Sequence, residues 1–153
     1  MSGFEIVGLI GAIPGVVTLV TESITLITRC ASSKKLSDAT KGSHLQLVAI
    51  KDLLIDLEAR CKDPTKGHWL PDDIRNIKQS VKELGDELEN LKKLLNSIAL
   101  ACTKGQGRFV RRVQLVFSGY ATQFKEQFAR IEAIKSLLVL ILTKGINSNL
   151  EQG

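Results

Sequence analysis

Apolar residues recur at helical steps of three and four in four successive blocks of this chain, and in the first block the alternation gives way to a run without any charge from residue 6 to residue 21. The spacing predicts a first helix over residues 4 to 29, interrupted by charge only at Glu5 and Glu22 before Arg29 ends it. Gly8, Gly11, Pro14 and Gly15 lie in its first half and predict a bend there. A polar connection over residues 31 to 42 then leads to Ser43 as the N-cap of a second helix, in which Leu47, Ile50, Leu54, Leu57 and Cys61 form one stripe ending near Lys62, before Asp63 and Pro64.

The third block is the most regular. Pro71 suits a first helical position, and Asp72 and Asp73 meet the positive end of the helix dipole. Ile74, Ile77, Val81, Leu84, Leu88, Leu91, Leu95, Ile98 and Cys102 then alternate in the manner of a bundle seam. A turn at residues 103 to 107 precedes a fourth helix from Phe109 to about residue 143, with Gly145 as its stop. Its buried side is marked by Val113, Phe117, Tyr120, Phe124, Phe128, Ile131, Ile134, Leu138 and Ile141. Two such helices on a short connection must run antiparallel, so the expected fold is all-α, an up-down four-helix bundle with a long hydrophobic N-terminal helix. The bundle should span residues 1 to 145, with residues 146 to 153 as a polar tail or the start of a linker.

At 153 residues the chain makes one domain, and 44% hydrophobic against 5% aromatic content favours helices packed through Leu, Ile and Val. Cys30, Cys61 and Cys102 are odd in number and lack metal spacing, which fits reduced thiols in a cytosolic protein; Cys30 beside the apolar helix is also a lipidation candidate. A secretory signal would begin with basic residues, whereas Glu5 is the only charge before the apolar run, and Ser2 stands where myristoylation requires glycine.

Candidate chemistry is sparse. His44 and His68 have no acidic or thiol partners at ligand spacing, so neither a metal site nor a cofactor is expected. Gly105-Gln106-Gly107 follows a helix rather than a strand and lacks a phosphate-loop ending. Trp69 is expected to cap the bundle end, or to anchor at a lipid interface. No catalytic constellation is present, and an enzyme is not expected. The net charge of +5 collects at helix ends and linkers, where Arg29, Lys34, Lys35, Lys104, Arg108, Arg111 and Arg112 are candidates for anionic lipid headgroups. Nucleic acid is not expected as a partner, because aromatic interleaving and a recognition motif are both missing.

The first helix carries the remaining information. Phe4, Ile6, Val7, Leu9, Ile10, Ile13, Val16, Val17, Leu19 and Val20 are the residues suited to membrane insertion. Nine Ile, Leu or Val residues between positions 6 and 20 favour insertion by about 3 to 5 kcal/mol at most. Fifteen helical residues reach only about 23 Å, against a hydrocarbon core of roughly 30 Å. A lone helix of this kind inserts marginally, which suits a switch: covered on all sides as the central helix of its own bundle at rest, and lipid-bound when several copies assemble. Glu5 and Glu22 would then face a wet lumen or a partner. Gly8, Gly11, Ala12 and Gly15 offer small surfaces for close helix contact.

Gly3-Phe4-Glu5-Ile6-Val7-Gly8 opening a glycine-punctuated apolar helix, two heptad helices, and the late block from Arg130 to Leu138 (RIEAIKSLL) together resemble the HeLo-like N-terminal domains of fungal STAND (NLR-like) proteins over about residues 3 to 145. That resemblance implies a pore-forming executioner of regulated cell death and heterokaryon incompatibility, activated by oligomerisation. It further implies a cytoplasmic resting state, action at the plasma membrane, anionic lipids and further copies of itself as partners, and an NLR-like activator in cis or in trans. The competing expectation is a non-lytic adaptor bundle whose first helix never leaves the core.

Overall fold

Four long helices carry the chain: α1 (Ser2–Cys30), α2 (Lys34–Lys62), α3 (Pro71–Thr103) and α4 (Phe109–Gln152). The computed structural model describes residues 2 to 30, 34 to 63, 70 to 103 and 109 to 152, with side chains over residues 6 to 29, 42 to 63, 70 to 100 and 119 to 143. No strand occurs among the described residues, and the fold is an all-α four-helix bundle.

The start of α3 is as its sequence dictates. Leu70 occupies the cap, its carbonyl accepting the Ile74 amide at 3.1 Å, and Pro71 takes the first helical position, where its missing N–H costs nothing. All eight aliphatic residues of the seam from Ile74 to Ile98 are buried, as are Leu47, Ile50, Leu54 and Leu57 of α2. On α4, Phe124, Phe128, Ile131, Leu138 and Ile141 are buried and Tyr120 and Ile134 half-buried; Phe124 and Phe128 pack as a tilted pair with ring centroids 4.7 Å apart. The Val113, Phe117 and Cys102 side chains, and Trp69, lie outside the described residues.

Two boundaries differ from expectation. The second helix begins at Lys34, so Ser43 sits inside it and is not its cap. Residues 34 to 42 contain one glycine and no proline, and nothing in their backbone stops a helix. The fourth helix likewise runs through Gly145 to Gln152, so residues 146 to 152 continue the helix instead of leaving it as a tail. A glycine ends a helix by adopting positive φ, and no described glycine does so.

Connections of three, eight and five residues are too short to run back along helices of 29 residues or more, which span at least about 43 Å. The helices therefore alternate in direction. Their order around the bundle is α1, α2, α4, α3: α1 packs on α2 and α3, α3 on α4, and α2 meets α4 more sparsely. Consequently α2 and α3 lie on a diagonal, and α1 and α3 are parallel neighbours beginning at the same end. Across the α3–α4 seam the buried Gln127 amide donates to the Glu87 carbonyl at 3.1 Å and to the Glu87 carboxylate, which also faces Arg130.

Candidate functional site

Helix α1 is not enclosed by its neighbours, contrary to the sequence expectation. Only 28% of its apolar window, within residues 6 to 29, is buried. Leu9, Ile13, Val16, Val20, Ser23 and Ile27, at steps of four and three, face the core, while Ile6, Ile10, Val17 and Leu19 are half-buried on its edges. Val7, Gly8, Gly11, Ala12, Pro14, Gly15, Thr18, Thr21, Thr25 and Thr28 are exposed. The reason is the bundle order: with α4 across the diagonal, only α2 and α3 cover α1, and two neighbours cannot surround a helix. Phe4 and Glu5 lie outside the residues whose side chains are described.

Until Arg29 in the last turn, the exposed face carries no charge and no dangling hydroxyl. Thr18 donates to the Pro14 carbonyl at 3.0 Å, Thr21 to Val17 at 3.0 Å, Thr25 to Thr21 at 3.1 Å and Thr28 to Ile24 at 2.9 Å. Buried Ser23 does the same, donating to Leu19 at 2.8 Å. Each hydroxyl is spent within the helix, so a threonine-rich face turns largely methyl groups outward. The helix runs unbroken through Pro14, whose ring stands on this exposed side. Length is thereby sufficient: the 24 residues from Ile6 to Arg29 are long and apolar enough to cross a membrane, reaching about 36 Å.

Three contacts fasten α1 to α3. Lys92 pairs with Glu22, which is half-buried on the α3 side. The Lys78 ammonium lies over Gly8, where a β-carbon would meet it at 3.4 Å. At Gly85 a β-carbon would meet Val16 Cγ2 at 3.3 Å, so this glycine is where α3 admits α1 most closely. Lys78, Gly85 and Lys92 stand seven residues apart on one flank of α3.

Gly11 and Gly15 touch nothing: no atom lies within 4 Å of a β-carbon added to either, and Ala12 is exposed. In the single chain this small-residue surface therefore has no helix against it. Replacing both glycines with alanine should raise stability by about 2 kcal/mol through helix propensity alone, read as a higher urea midpoint. Gly85→Ala should fall well short of its share of that gain, because the new methyl meets Val16.

Among the headgroup candidates Arg29 is exposed in the last turn of α1; the Lys34, Lys35, Lys104, Arg108, Arg111 and Arg112 side chains lie outside the described residues. Two open grooves flank α4. One, of roughly 350 Å³, lies against α2 and includes Ser43, Gln46, Phe124, Lys125 and Glu132. The other, of roughly 430 Å³, lies against α3 and includes Asp73, Gln79, Glu83, Leu137 and Leu140. Among the described residues no group of three His, Cys, Asp or Glu side chains is placed to hold a metal. Burial, assisted by the nearby Glu58 carboxylate, pushes the half-buried Cys61 thiol up to about 11, so it remains protonated at neutral pH.

Sequence reading missed Lys78, Gly85 and Lys92, the α3 partners of α1. A signal was there for Gly85, since a lone glycine inside an otherwise unbroken heptad helix costs about 1 kcal/mol and implies a close approach. No protein-family model, curated protein or solved structure matches the chain.

Proposed function

We propose that this bundle is a membrane-targeting, pore-forming domain of the regulated cell-death class, whose α1 leaves the resting bundle and enters the plasma membrane when copies are brought together. The observation that carries this reading is α1 itself: long enough to span, uncharged from residue 6 to 21, with every described outward threonine hydroxyl between positions 18 and 28 bonded to its own backbone. Apart from Glu22, a helix with those properties can exchange water for acyl chains without stranding polar groups.

Energetics support a requirement for assembly. Releasing Leu9, Ile13, Val16, Val20 and Ile27 from the core costs about 10 kcal/mol at roughly 2 kcal/mol each, whereas insertion returns about 3 to 5 kcal/mol. A lone copy keeps α1 packed. Contacts between inserted helices, for which Gly11, Ala12 and Gly15 stand exposed, have to supply the difference. Glu22 loses Lys92 in that transition and needs a wet lumen or a partner.

The same burial favours a second reading, in which α1 is a permanent core helix and the bundle is a non-lytic adaptor of an NLR-like receptor. Dye release from anionic vesicles separates the two. Chemically dimerised or multimerised domain should release dye and monomer should not; if multimers release none, the adaptor reading stands. Point variants serve this comparison better than deletion of residues 1 to 20, which also removes Leu9, Ile13, Val16 and Val20 from the core.

A further inference from the structure

We propose that Pro14 divides α1 into two parts that open separately: an N-terminal arm, residues 2 to 13, detaches from the bundle while residues 16 to 29 stay packed. The inference concerns a single copy in solution, so it stands or falls independently of the membrane reading above.

In a continuous α-helix four backbone bonds would tie residues 10 to 13 to residues 14 to 17. Pro14 has no N–H, so the first of these is missing and the Ile10 carbonyl lacks its helical donor. The second joins Gly15 to Gly11. Both glycines are exposed, with no atom within 4 Å of an added β-carbon, so water reaches this rung from the open side. The Thr18 hydroxyl, donating to the Pro14 carbonyl at 3.0 Å, competes for an acceptor in the same turn. A helix loses stiffness where proline and water interrupt its ladder, and here both act within one turn.

The two parts are also held unequally. Before Pro14, Leu9 and Ile13 are buried, Ile6 and Ile10 are half-buried, and the α3 neighbour at Gly8 is the flexible end of Lys78. After Pro14, Val16, Val20, Ser23 and Ile27 are buried, Val16 meets Gly85, and Glu22 pairs with Lys92. Half-buried Val17, Leu19, Ile24 and Leu26 pack against the core on that side as well. Detaching the arm therefore uncovers two core side chains, whereas detaching all of α1 uncovers five and breaks the ion pair. The arm opens far more often than the whole helix, and its opening presents Leu9 and Ile13 while the rest of the bundle stays closed.

The test is thiol labelling of monomeric domain in buffer without lipid, in a background lacking Cys30, Cys61 and Cys102. Ile13→Cys and Ile27→Cys make the same change at two buried positions of α1, one on each side of Pro14. A buried thiol reacts when its segment detaches. Residue 13 lies eleven residues from the start of α1 and residue 27 three from its end, so simple fraying favours labelling at 27. The hinge predicts the reverse: Ile13→Cys should label at least about a hundred-fold faster than Ile27→Cys, with a shallow urea dependence against a steep one. Leu9→Cys should share the rate of Ile13→Cys, because the arm moves as one unit. Pro14→Ala, which restores the missing bond, should slow labelling of Ile13→Cys about a hundred-fold, with helix content by circular dichroism retained. The proposal is overturned if Ile13→Cys and Ile27→Cys label at one rate with one urea dependence, if Ile27→Cys is the faster, or if Pro14→Ala leaves labelling at position 13 unchanged. Dye release by multimers is a separate readout, and its absence would remove the pore while leaving the arm in place.

Discussion

Cross-linking α1 to α3 should silence the domain. Cysteines introduced as Val16→Cys and Gly85→Cys, in a background without Cys30, Cys61 and Cys102, are close enough to bridge, since the Val16 methyl lies 3.3 Å from the position of a β-carbon at Gly85. Oxidised, multimerised protein is expected to lose at least about nine-tenths of its dye release, and reduction to restore it in the same sample. The reversal distinguishes a lock from damage, because a misfolded variant would not recover on adding reductant. Full release by the oxidised form would mean that α1 need not leave α3, and the central idea of the mechanism would be lost.

The opposite change should have the opposite effect. Gly85→Leu places a bulky side chain where even one methyl is tight, overpacking the α1–α3 seam at an expected cost of about 1 to 3 kcal/mol. The strain falls on the contact between Val16 and α3, so α1 should become the first segment cut in limited proteolysis. Dye release should then begin at a lower degree of multimerisation than for wild type. A variant that melts earlier by urea titration yet needs as much multimerisation as before would favour the adaptor reading. Taken together, the lock and the wedge act on one glycine in opposite senses, which a merely structural role for Gly85 does not predict.

The helical pattern of α3 was fully legible because every buried position obeys one period and Pro71 marks the start unambiguously. What the pattern could not show is which neighbours each helix has. Apolar residues all round α1 imply cover on all sides, and only the diagonal placement of α4 reveals that α2 and α3 leave one face bare. Helix ends were misjudged where local chemistry was weak: Ser43 and Gly145 are good cap residues by type, yet each is absorbed into a helix whose backbone has no reason to stop. The candidate site was half visible. Its apolar run is explicit in the chain, while its fastenings, Gly85 and Lys92, lie some seventy residues away and become neighbours only through the parallel packing of α1 and α3.

That packing order also sets how the molecule yields. The chain forms two hairpins, α1 with α2 and α3 with α4, bound along one spine where α1 meets α3 and, among the described residues, more sparsely closed at the opposite edge where α2 faces α4. Local opening is expected first at the fore-edge, over the groove between Phe124, Phe128 and Ser43, with the binding left intact; hydrogen exchange faster there than along the α1–α3 seam would show it. In the proposed mechanism, freeing α1 requires tearing the spine itself, so ordinary fluctuation and release would follow different routes.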